Sequence, residues 1–243
     1  MKQPKVLSIA GFDSSAGAGI LADIKVFQHF NVYGFGVMSA LTIQNESEIR
    51  GIRWSTQKEI KDQIDVIFSF HTITAVKIGI LKDSDTLKWL VKLLRDYDKD
   101  LKIVWDPIFK SSSGFNFWNE IDPKQLLSTI ELIDLITPNK EEYSKLWDDD
   151  FSFHEFNGHT TVLQKSVSEN EEFVIDYLWW NQNVHHLESR RFTGFDKHGT
   201  GCILSSGITA GLALGLNMKQ AYYKSKELLN HYMLSSESLL GIA

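Results

Sequence analysis

Short apolar segments alternate with helix-like repeats along the first part of this chain. The predicted strands cover residues 6–10, 35–41, 75–78, 103–105 and 135–136, and each is apolar almost throughout. Between them, apolar residues repeat at helical spacing, as in Ile60, Ile64 and Ile67. Strands that are apolar on both faces and are separated by helices pair in parallel, with helices covering both sides of the sheet. The alternation therefore predicts an α/β fold with three layers.

A different pattern begins near residue 160. Segments 161–163, 173–179 and 184–190 resemble successive strands without helices between them. They predict antiparallel strands added at one edge of the sheet, and two predicted helices, 200–214 and 218–234, follow them. Because the sequence shows no internal repeat and no linker, we expect a single domain over residues 1–243.

The composition is that of an ordinary globular protein, with 43% hydrophobic and 23% charged residues. A net charge of −6 gives no electrostatic basis for nucleic acid or an anionic membrane as a main partner. A single cysteine excludes an intrachain disulfide and is typical of a reducing compartment. No apolar stretch reaches the length of a membrane span. We therefore expect a cytoplasmic protein with small-molecule partners.

A glycine-rich turn, His198-Gly199-Thr200-Gly201-Cys202, lies directly before the first of the two last helices. A helix N-terminus has unpaired N–H groups and a partial positive charge, and it binds phosphate or a developing oxyanion. The chain's only cysteine lies in this turn. The turn therefore predicts a phosphoryl-transfer site. The alternative is an ordinary turn beside a buried structural cysteine.

Polar residues follow several of the predicted strands, among them Gln44, Asp106 and Glu142. In open parallel sheets, ligands bind beyond the carboxyl ends of the strands, so we expect these residues to share one cleft. Carboxylates that face a phosphate site are natural Mg²⁺ ligands, directly or through water. As the alternative, Asp106 is a turn residue before a proline, and Glu142 is a first-turn residue favoured by the helix dipole.

The familiar nucleotide motifs give little support to other classes of enzyme. The segment Gly17-Ala18-Gly19-Ile20-Leu21-Ala22 matches the dinucleotide pattern G-x-G-x-x-A. However, it begins six residues after the first strand, and no acidic residue ends the second strand. These features disfavour NAD binding. No G-x-x-x-x-G-K-[ST] segment occurs, which argues against a Walker-type ATPase.

Several short segments together carry a family resemblance. They are Ser8-Ile-Ala-Gly-Phe-Asp13, Gly17-Ala-Gly-Ile20 with Ala22-Asp23, Tyr33-Gly34, Ala40-Leu-Thr-Ile-Gln-Asn45, Lys77-Ile-Gly79, Asp106-Pro107 with Ser113-Gly114, Ile136-Thr-Pro-Asn139 with Glu142, and His198-Gly-Thr-Gly-Cys202. In this order they resemble the hydroxymethylpyrimidine/phosphomethylpyrimidine kinases of thiamine biosynthesis, within the ribokinase-like superfamily. The resemblance implies a ribokinase-like three-layer sandwich with a mostly parallel central sheet, helices on both faces and antiparallel edge strands.

The resemblance also implies an activity. Family members use ATP and Mg²⁺ to phosphorylate 4-amino-5-hydroxymethyl-2-methylpyrimidine and then its monophosphate, and the superfamily implies a homodimer. The implied catalytic base is Cys202, with an anion hole at Gly199, Thr200 and Gly201. The implied acceptor-binding residues are Gly11, Asp23, Gln44, Ile80 and Ile108.

The remaining implied residues lie on the cofactor side. Asp106 and Glu142 would hold Mg²⁺, and Asn139 would lie near the ATP phosphates. We assign Lys165 and Lys197 to the same side. Lys165 lies in Gln164-Lys165-Ser166-Val167, where family members carry Lys-Gly-Gly-His, and Lys197 replaces a threonine that is common in the family.

The mechanism predicted for Cys202 requires a reactive thiol. A helix N-terminus lowers the pKa of a thiol below its usual value of about 8.5, so we expect a lowered pKa here. Two other functions are compatible with the sequence. One is a pyridoxal kinase of the same fold, because the pyridoxal ring also carries a hydroxymethyl group. The other is a non-catalytic pyrimidine-binding protein, which the altered segment 164–167 suggests.

Overall fold

The computed structural model describes residues 3–111, 113–118, 121–147, 159–170, 172–181, 183–192 and 197–242. The strands are β1 (Lys5–Phe12), β2 (Tyr33–Gln44), β3 (Ile49–Trp54), β4 (Ala75–Ile78), β5 (Lys102–Trp105), β6 (Leu135–Ile136), β7 (Thr161–Glu169), β8 (Phe173–Trp180) and β9 (Asn183–Arg190). The helices are α1 (Gly19–His29), α2 (Gln57–Phe70), α3 (Ser84–Tyr97), α4 (Pro123–Ile130), α5 (Lys140–Leu146), α6 (Thr200–Ala213) and α7 (Met218–Leu234).

All of these strands belong to one sheet, in the order β3-β2-β1-β4-β5-β6-β7-β8-β9. In this order, neighbouring strands from β2 to β7 are parallel. Strand β3 pairs antiparallel with β2, β8 pairs antiparallel with β7, and β9 pairs antiparallel with β8. The predicted α/β sheet is therefore confirmed, but antiparallel strands lie at both edges. Strand β3 was not predicted, because its sequence Ile-Arg-Gly-Ile-Arg-Trp lacks the continuous apolar character of the central strands.

Helices cover both faces of the sheet, as the doubly apolar strands predict. On one face, α2, α3 and α4 pack on side chains such as Leu7 and Ile9 of β1. On the other face, α1, α6 and α7 pack on Val6 and on Ala75. Successive residues of a strand point to opposite faces, so Val6 and Leu7 belong to different halves of the core.

Local capping signals set the starts of several helices. The Asp83 carboxylate accepts a hydrogen bond from the Thr86 N–H at the start of α3. Pro123 begins α4 after the N-cap residue Asp122, where the missing N–H of proline costs nothing. None of the described helices is both long and apolar enough to span a membrane.

Candidate active site

A pocket of about 200 Å³ lies beyond the carboxyl ends of the central strands and against the start of α6. We call it the first pocket. The predicted site residues that line it are Gly11, Gln44, Ile80, Asp106, Ile108, Asn139, Glu142, Lys165, Lys197, Gly199, Thr200, Gly201 and Cys202. Its position follows the rule for parallel sheets, in which strand ends bring distant parts of the chain to one crevice.

Asp23, which the resemblance placed with the acceptor-binding residues, is not among the residues that line this pocket. It is fully buried on α1. Its carboxylate accepts hydrogen bonds at 2.5 Å from Ser8 Oγ, Ser206 Oγ and Lys77 Nζ. Asp23 therefore bonds to Lys77, and it is Lys77 that lines the pocket.

Glycines at the starts of α1 and α6 are required by close backbone packing. Gly199 is the N-cap, with φ +78°, and a Cβ atom there would lie 1.9 Å from the Gly17 carbonyl oxygen. Likewise Gly19 has φ +61°, and its Cβ would lie 2.2 Å from the Gly11 oxygen. Other residues cannot occupy such positions without moving the backbone. Two glycine turns are thereby packed against each other, and both border the first pocket.

The start of α6 offers its N–H groups to this pocket. Among the described residues, no side chain caps α6, in contrast to α5 and α7. Uncapped N–H groups at a helix start carry partial positive charge and suit an anion. Because Thr200, Gly201 and Cys202 all line the pocket, an anionic group bound there would meet these donors.

Asp13 links this turn to the end of β2. Its carboxylate accepts hydrogen bonds from His198 Nε2 at 2.9 Å and from the Ala18 N–H at 3.0 Å. Burial alone would raise the Asp13 pKa, but hydrogen bonds from His198, Gln44 and Ser15 outweigh it and lower the pKa to about 2. An ionised Asp13 only accepts hydrogen bonds, so the NH₂ group of the Gln44 amide must face it.

Sequence reasoning assigned no role to Asp13 or His198. Both lie in the segments that carry the family resemblance, and Asp13 belongs to the polar segment 11–15 after the first strand, but neither lies inside a recognised ligand motif. For Asp13 the available local signal was its place in a turn. The Ser15 N–H donates to the Asp13 carboxylate at 2.9 Å, which is a common hydrogen bond for aspartates in turns. Their pairing joins residues 185 positions apart and depends on the tertiary fold.

Asp106 follows β5 and is buried at the base of the first pocket. Its oxygens accept hydrogen bonds from Thr137 Oγ1 at 2.9 Å, Lys165 Nζ at 2.9 Å and Ser205 Oγ at 3.1 Å. Burial opposes ionisation, but the positive charges of Lys165 and Lys77 outweigh it and lower the Asp106 pKa. Asp106 is therefore a fixed negative charge beside the glycine-rich turn.

Glu142 and Asn139 form the reciprocal cap of α5. The Asn139 N–H donates to Glu142 Oε2 at 2.7 Å, and the Glu142 N–H donates to Asn139 Oδ1 at 2.9 Å. Burial raises the Glu142 pKa to about 7; Asp106 adds to the rise and Lys165 opposes it. Both residues also line the pocket. The structural interpretation of Glu142 as a first-turn residue and its place in the pocket are thus compatible.

Cys202 lines the first pocket, and only 6% of it is exposed. Burial raises the pKa of the Cys202 thiol, and the carboxylates of Asp23 and Asp106 raise it further. Lys77 and a hydrogen bond from the Gly19 N–H act in the opposite direction. The predicted lowering of this pKa was therefore wrong, because burial outweighs the positive charge of Lys77 and the hydrogen bond from Gly19.

A second pocket, of about 710 Å³, lies between the antiparallel edge and α7. Its lining includes Ser166, Ser189, Arg190, Arg191, Lys226 and Met233. Three residues, Lys197, His198 and Thr200, line both pockets. The sequence did not predict the second pocket, because its residues are scattered over surface-type positions without a motif.

Lys197 stands at the junction of the two pockets. Its ammonium group donates to the carbonyl oxygens of Ser236 and Ser238, near the end of the chain. The His198 N–H donates to the Leu239 carbonyl oxygen at 2.8 Å in the same region. The segment after α7 thus holds the glycine-rich turn in place through these hydrogen bonds.

Two adjoining pockets that share a glycine-rich turn at a helix start suit an enzyme that transfers a group between two small molecules, and the fold is that of the ribokinase-like kinases. The family model described as "Phosphomethylpyrimidine kinase" matches residues 13–240, and the chain belongs to this family. The predicted family, fold and enzyme class are thereby confirmed.

Three known proteins illustrate the relationship. The hydroxymethylpyrimidine/phosphomethylpyrimidine kinase of Aquifex aeolicus is 31% identical, over 96% of this chain and 95% of the relative. A crystal structure of phosphomethylpyrimidine kinase from Clostridium difficile 630 has a TM-score of 0.75 and 30% identity, covering 94% of this chain and 98% of that one. An ADP complex of Bacillus subtilis pyridoxal kinase has a TM-score of 0.80 and 27% identity, covering 98% and 94%.

Proposed function

We propose that this protein transfers the γ-phosphoryl group of ATP, with Mg²⁺, to the hydroxymethyl group of 4-amino-5-hydroxymethyl-2-methylpyrimidine. The observation that carries the proposal is the junction at Lys197, His198 and Thr200, which line both pockets. An acceptor in the first pocket and a nucleotide in the second would meet at the start of α6. The names of the Aquifex and Clostridium relatives supply the acceptor, and the ADP complex of the Bacillus relative supports the nucleotide.

The first pocket suits a small flat ring. A Cβ atom on Gly11 would lie 2.5 Å from Ile80 Cδ1, so the glycine leaves the isoleucine free to cover one side of the pocket. Gln44 lies at the end of β2, with its NH₂ group directed to Asp13. Its amide oxygen is left to accept an N–H from the ring's exocyclic amine. This orientation favours an amino-substituted ring.

Cys202 is the proposed base. The thiolate takes the hydroxymethyl proton, forming an S–H bond, while the alkoxide oxygen forms a bond to the γ-phosphorus. The bond from that phosphorus to the bridging oxygen of ADP breaks, and the electron pair leaves with ADP. The N–H groups of Thr200, Gly201 and Cys202 bind the charge on the transferring group.

The two pocket carboxylates fit a magnesium ion. In proteins, Mg²⁺ is held by one or two carboxylates together with waters and substrate phosphates. Asp106 and Glu142 line the same pocket and are close enough for each to affect the other's protonation. Within the described residues no three His, Cys, Asp or Glu side chains form a complete metal site. When bound, the ion would neutralise phosphate charge, and Lys165 beside Asp106 would do the same.

Pyridoxal is a second candidate acceptor, favoured by the likeness to the Bacillus subtilis pyridoxal kinase at 27% identity. The pyridoxal ring carries an aldehyde beside its hydroxymethyl group, where the pyrimidine carries an amine, and an aldehyde oxygen can only accept hydrogen bonds. The proposed orientation of the Gln44 amide therefore favours the pyrimidine over pyridoxal, and a direct comparison of the two acceptors tests this.

The test is a turnover assay with purified protein, ATP and Mg²⁺, in which the pyrimidine alcohol, its monophosphate and pyridoxal are offered separately. We expect phosphorylation of the pyrimidine alcohol, and loss of activity when EDTA replaces Mg²⁺. Turnover of pyridoxal alone would favour the second candidate. Calorimetric binding of the pyrimidine without any turnover would identify a non-catalytic binding protein and contradict the proposal.

A further inference from the structure

A buried ion pair lies beneath the first pocket and takes no part in the mechanism described so far. Lys77 of β4 and Asp23 of α1 meet with Nζ and Oδ1 2.5 Å apart, and both side chains are fully buried. Burying two charges is expensive, and replacing such a pair by apolar residues is often neutral or stabilising. Stability alone is therefore a weak reason for a lysine to occupy this position.

The surroundings of Asp23 hold the lysine in one place. Ser8 Oγ donates to Asp23 Oδ2, while Ser206 Oγ and Lys77 Nζ both donate to Oδ1. Ser8 and Lys77 are direct neighbours across the β1–β4 pair. Because every element that contributes to this cluster belongs to the core, the Lys77 ammonium is fixed relative to α6.

The cluster also lies next to Cys202. Ser206 follows Cys202 by four residues in α6, so the two side chains lie on the same face of the helix. Lys77 and Cys202 both line the first pocket. Of the effects that oppose burial at the Cys202 thiol, the charge of Lys77 is the largest.

Other charged groups face the same sulfur. Asp23 on α1 and Asp106 after β5 disfavour the thiolate. Lys165 on β7 interacts with it favourably, and Tyr232 on α7 also faces it. Lys165 contacts Asp106 and lies where a nucleotide phosphate is proposed. Lys77 therefore differs from Lys165 in being a positive charge that stays in place whether or not substrate is bound.

We propose that Lys77, held by Asp23, is a positioning residue for Cys202, and that its buried ammonium stabilises the thiolate that accepts the hydroxymethyl proton. This inference rests on the proposed function in one respect, the role of Cys202 as base. Its effect on the sulfur itself can be measured without turnover.

The experiment follows alkylation of the protein by iodoacetamide as a function of pH, in the absence of nucleotide and Mg²⁺. Since Cys202 is the only cysteine, the mass of the intact protein reports on this thiol alone. For Lys77→Met we expect the pH midpoint to rise by about one unit, which is roughly a tenfold slower reaction at a fixed pH below the midpoint. We also expect a lower kcat with an unchanged KM for ATP. Lys5→Met, which removes another strand lysine remote from the pocket, should change neither.

A second variant covers the case in which Lys77→Met fails to fold because Asp23 is left as an unpaired buried charge. Asp23→Asn/Lys77→Met removes both charges and leaves an amide to bond Ser8 and Ser206. Because Lys77 lines the pocket together with Cys202 whereas Asp23 does not, we expect the midpoint of the folded double variant to stay above that of the wild type. A midpoint equal to that of the wild type would overturn the inference. A raised midpoint in a protein that shows no kinase activity would uphold it while refuting the proposed function.

Discussion

The two pockets differ in how they are built. The first, of about 200 Å³, is lined by strand ends and by two glycine turns, and its lining includes the buried, ion-paired side chains of Asp13, Lys77 and Asp106. The second, of about 710 Å³, lies between β7–β9 and α7, and its lining includes the exposed Arg190 and other side chains at the surface. Displacing a group in the first pocket disturbs a packed network. In the second, side chains can shift and water can replace a lost contact.

This contrast has a chemical meaning under the proposed function. The acceptor must be oriented so that one hydroxyl meets a base and a phosphorus atom in line, which demands fixed geometry. A nucleotide needs only to be held so that its last phosphate reaches the junction at Thr200. We therefore expect substitutions in the first pocket to have larger effects than substitutions in the second, and the predictions below test that order.

The largest effect is expected for Cys202→Ala. Removal of a positioned general base typically lowers the rate by about 10²–10⁴-fold. We expect kcat to fall by this amount, while calorimetry shows unchanged binding of the pyrimidine. Bound pyrimidine should also slow alkylation of the wild-type thiol. If the alanine variant retains a kcat near that of the wild type, Cys202 is a packing residue and the first pocket loses its catalytic centre.

The next effect concerns Gln44→Leu. Loss of an amide that reads an amino-substituted ring edge costs about 1–3 kcal/mol, or roughly ten- to a hundredfold in Kd. We expect that loss for the aminopyrimidine and a much smaller one for an analogue without the amino group, both measured by calorimetric titration. Gln28→Leu, an exposed position on α1, serves as the matched control and should affect neither ligand. Equal losses for both ligands would mean that Gln44 supports the loop and does not read the ring.

The same contrast explains what the sequence could predict. Gly199 was recognisable because close backbone packing restricts the position to glycine, and Asp106 because a carboxylate directly follows an apolar strand. The central sheet was recognisable for a similar reason, since strands buried on both faces are apolar throughout. These features are local, so each can be recognised from a few consecutive residues of the sequence.

The rest depended on tertiary contacts that leave no local pattern. The Asp23–Lys77 pair joins α1 to β4, so a carboxylate that the family resemblance placed beside the ligand lies beneath the pocket. The pKa of Cys202 was predicted from the helix start alone, whereas burial, Asp23 and Asp106 decide its direction. The second pocket needs the hairpin of β8 and β9 to lie against α7, and its serines and arginines are common surface residues.

A moderate effect is expected when the second pocket is filled. Ser189 on β9 is half-buried and lines this pocket, so Ser189→Trp would occupy space proposed for the nucleotide. We expect KM for ATP to rise about tenfold, which corresponds to about 1.4 kcal/mol, with the Kd of the pyrimidine unchanged. Glu188→Trp is the matched control, because Glu188 is the exposed neighbour of Ser189 and does not line the pocket. A parallel loss of pyrimidine binding would show that the two pockets are not independent.

The smallest effect concerns stability and not activity, and it tests the raised pKa of Glu142. Its pKa is raised from 4.5 to about 7 in the folded protein, so folding favours the protonated form. The associated stability is fully present below pH 4.5 and is lost as the pH rises through about 7. Glutamine resembles the protonated side chain and can still complete the helix cap with Asn139. Glu142→Gln should therefore match the wild type at pH 4.5 and be more stable at pH 8.

The size of this difference follows from the pKa. A shift of even one unit corresponds to about 1.4 kcal/mol, which raises Tm by roughly 3–6 °C in a protein of this size. Thermal unfolding with EDTA at both pH values measures it, and Glu141→Gln, on the exposed side of α5, is the control. If the advantage of the variant over the wild type is no larger at pH 8 than at pH 4.5, Glu142 is ordinarily ionised in the folded protein. The carboxylate would then lie in a more solvated site than the structure indicates, and the contrast between a first pocket lined by buried charges and a second lined by surface side chains would lose one of its supports.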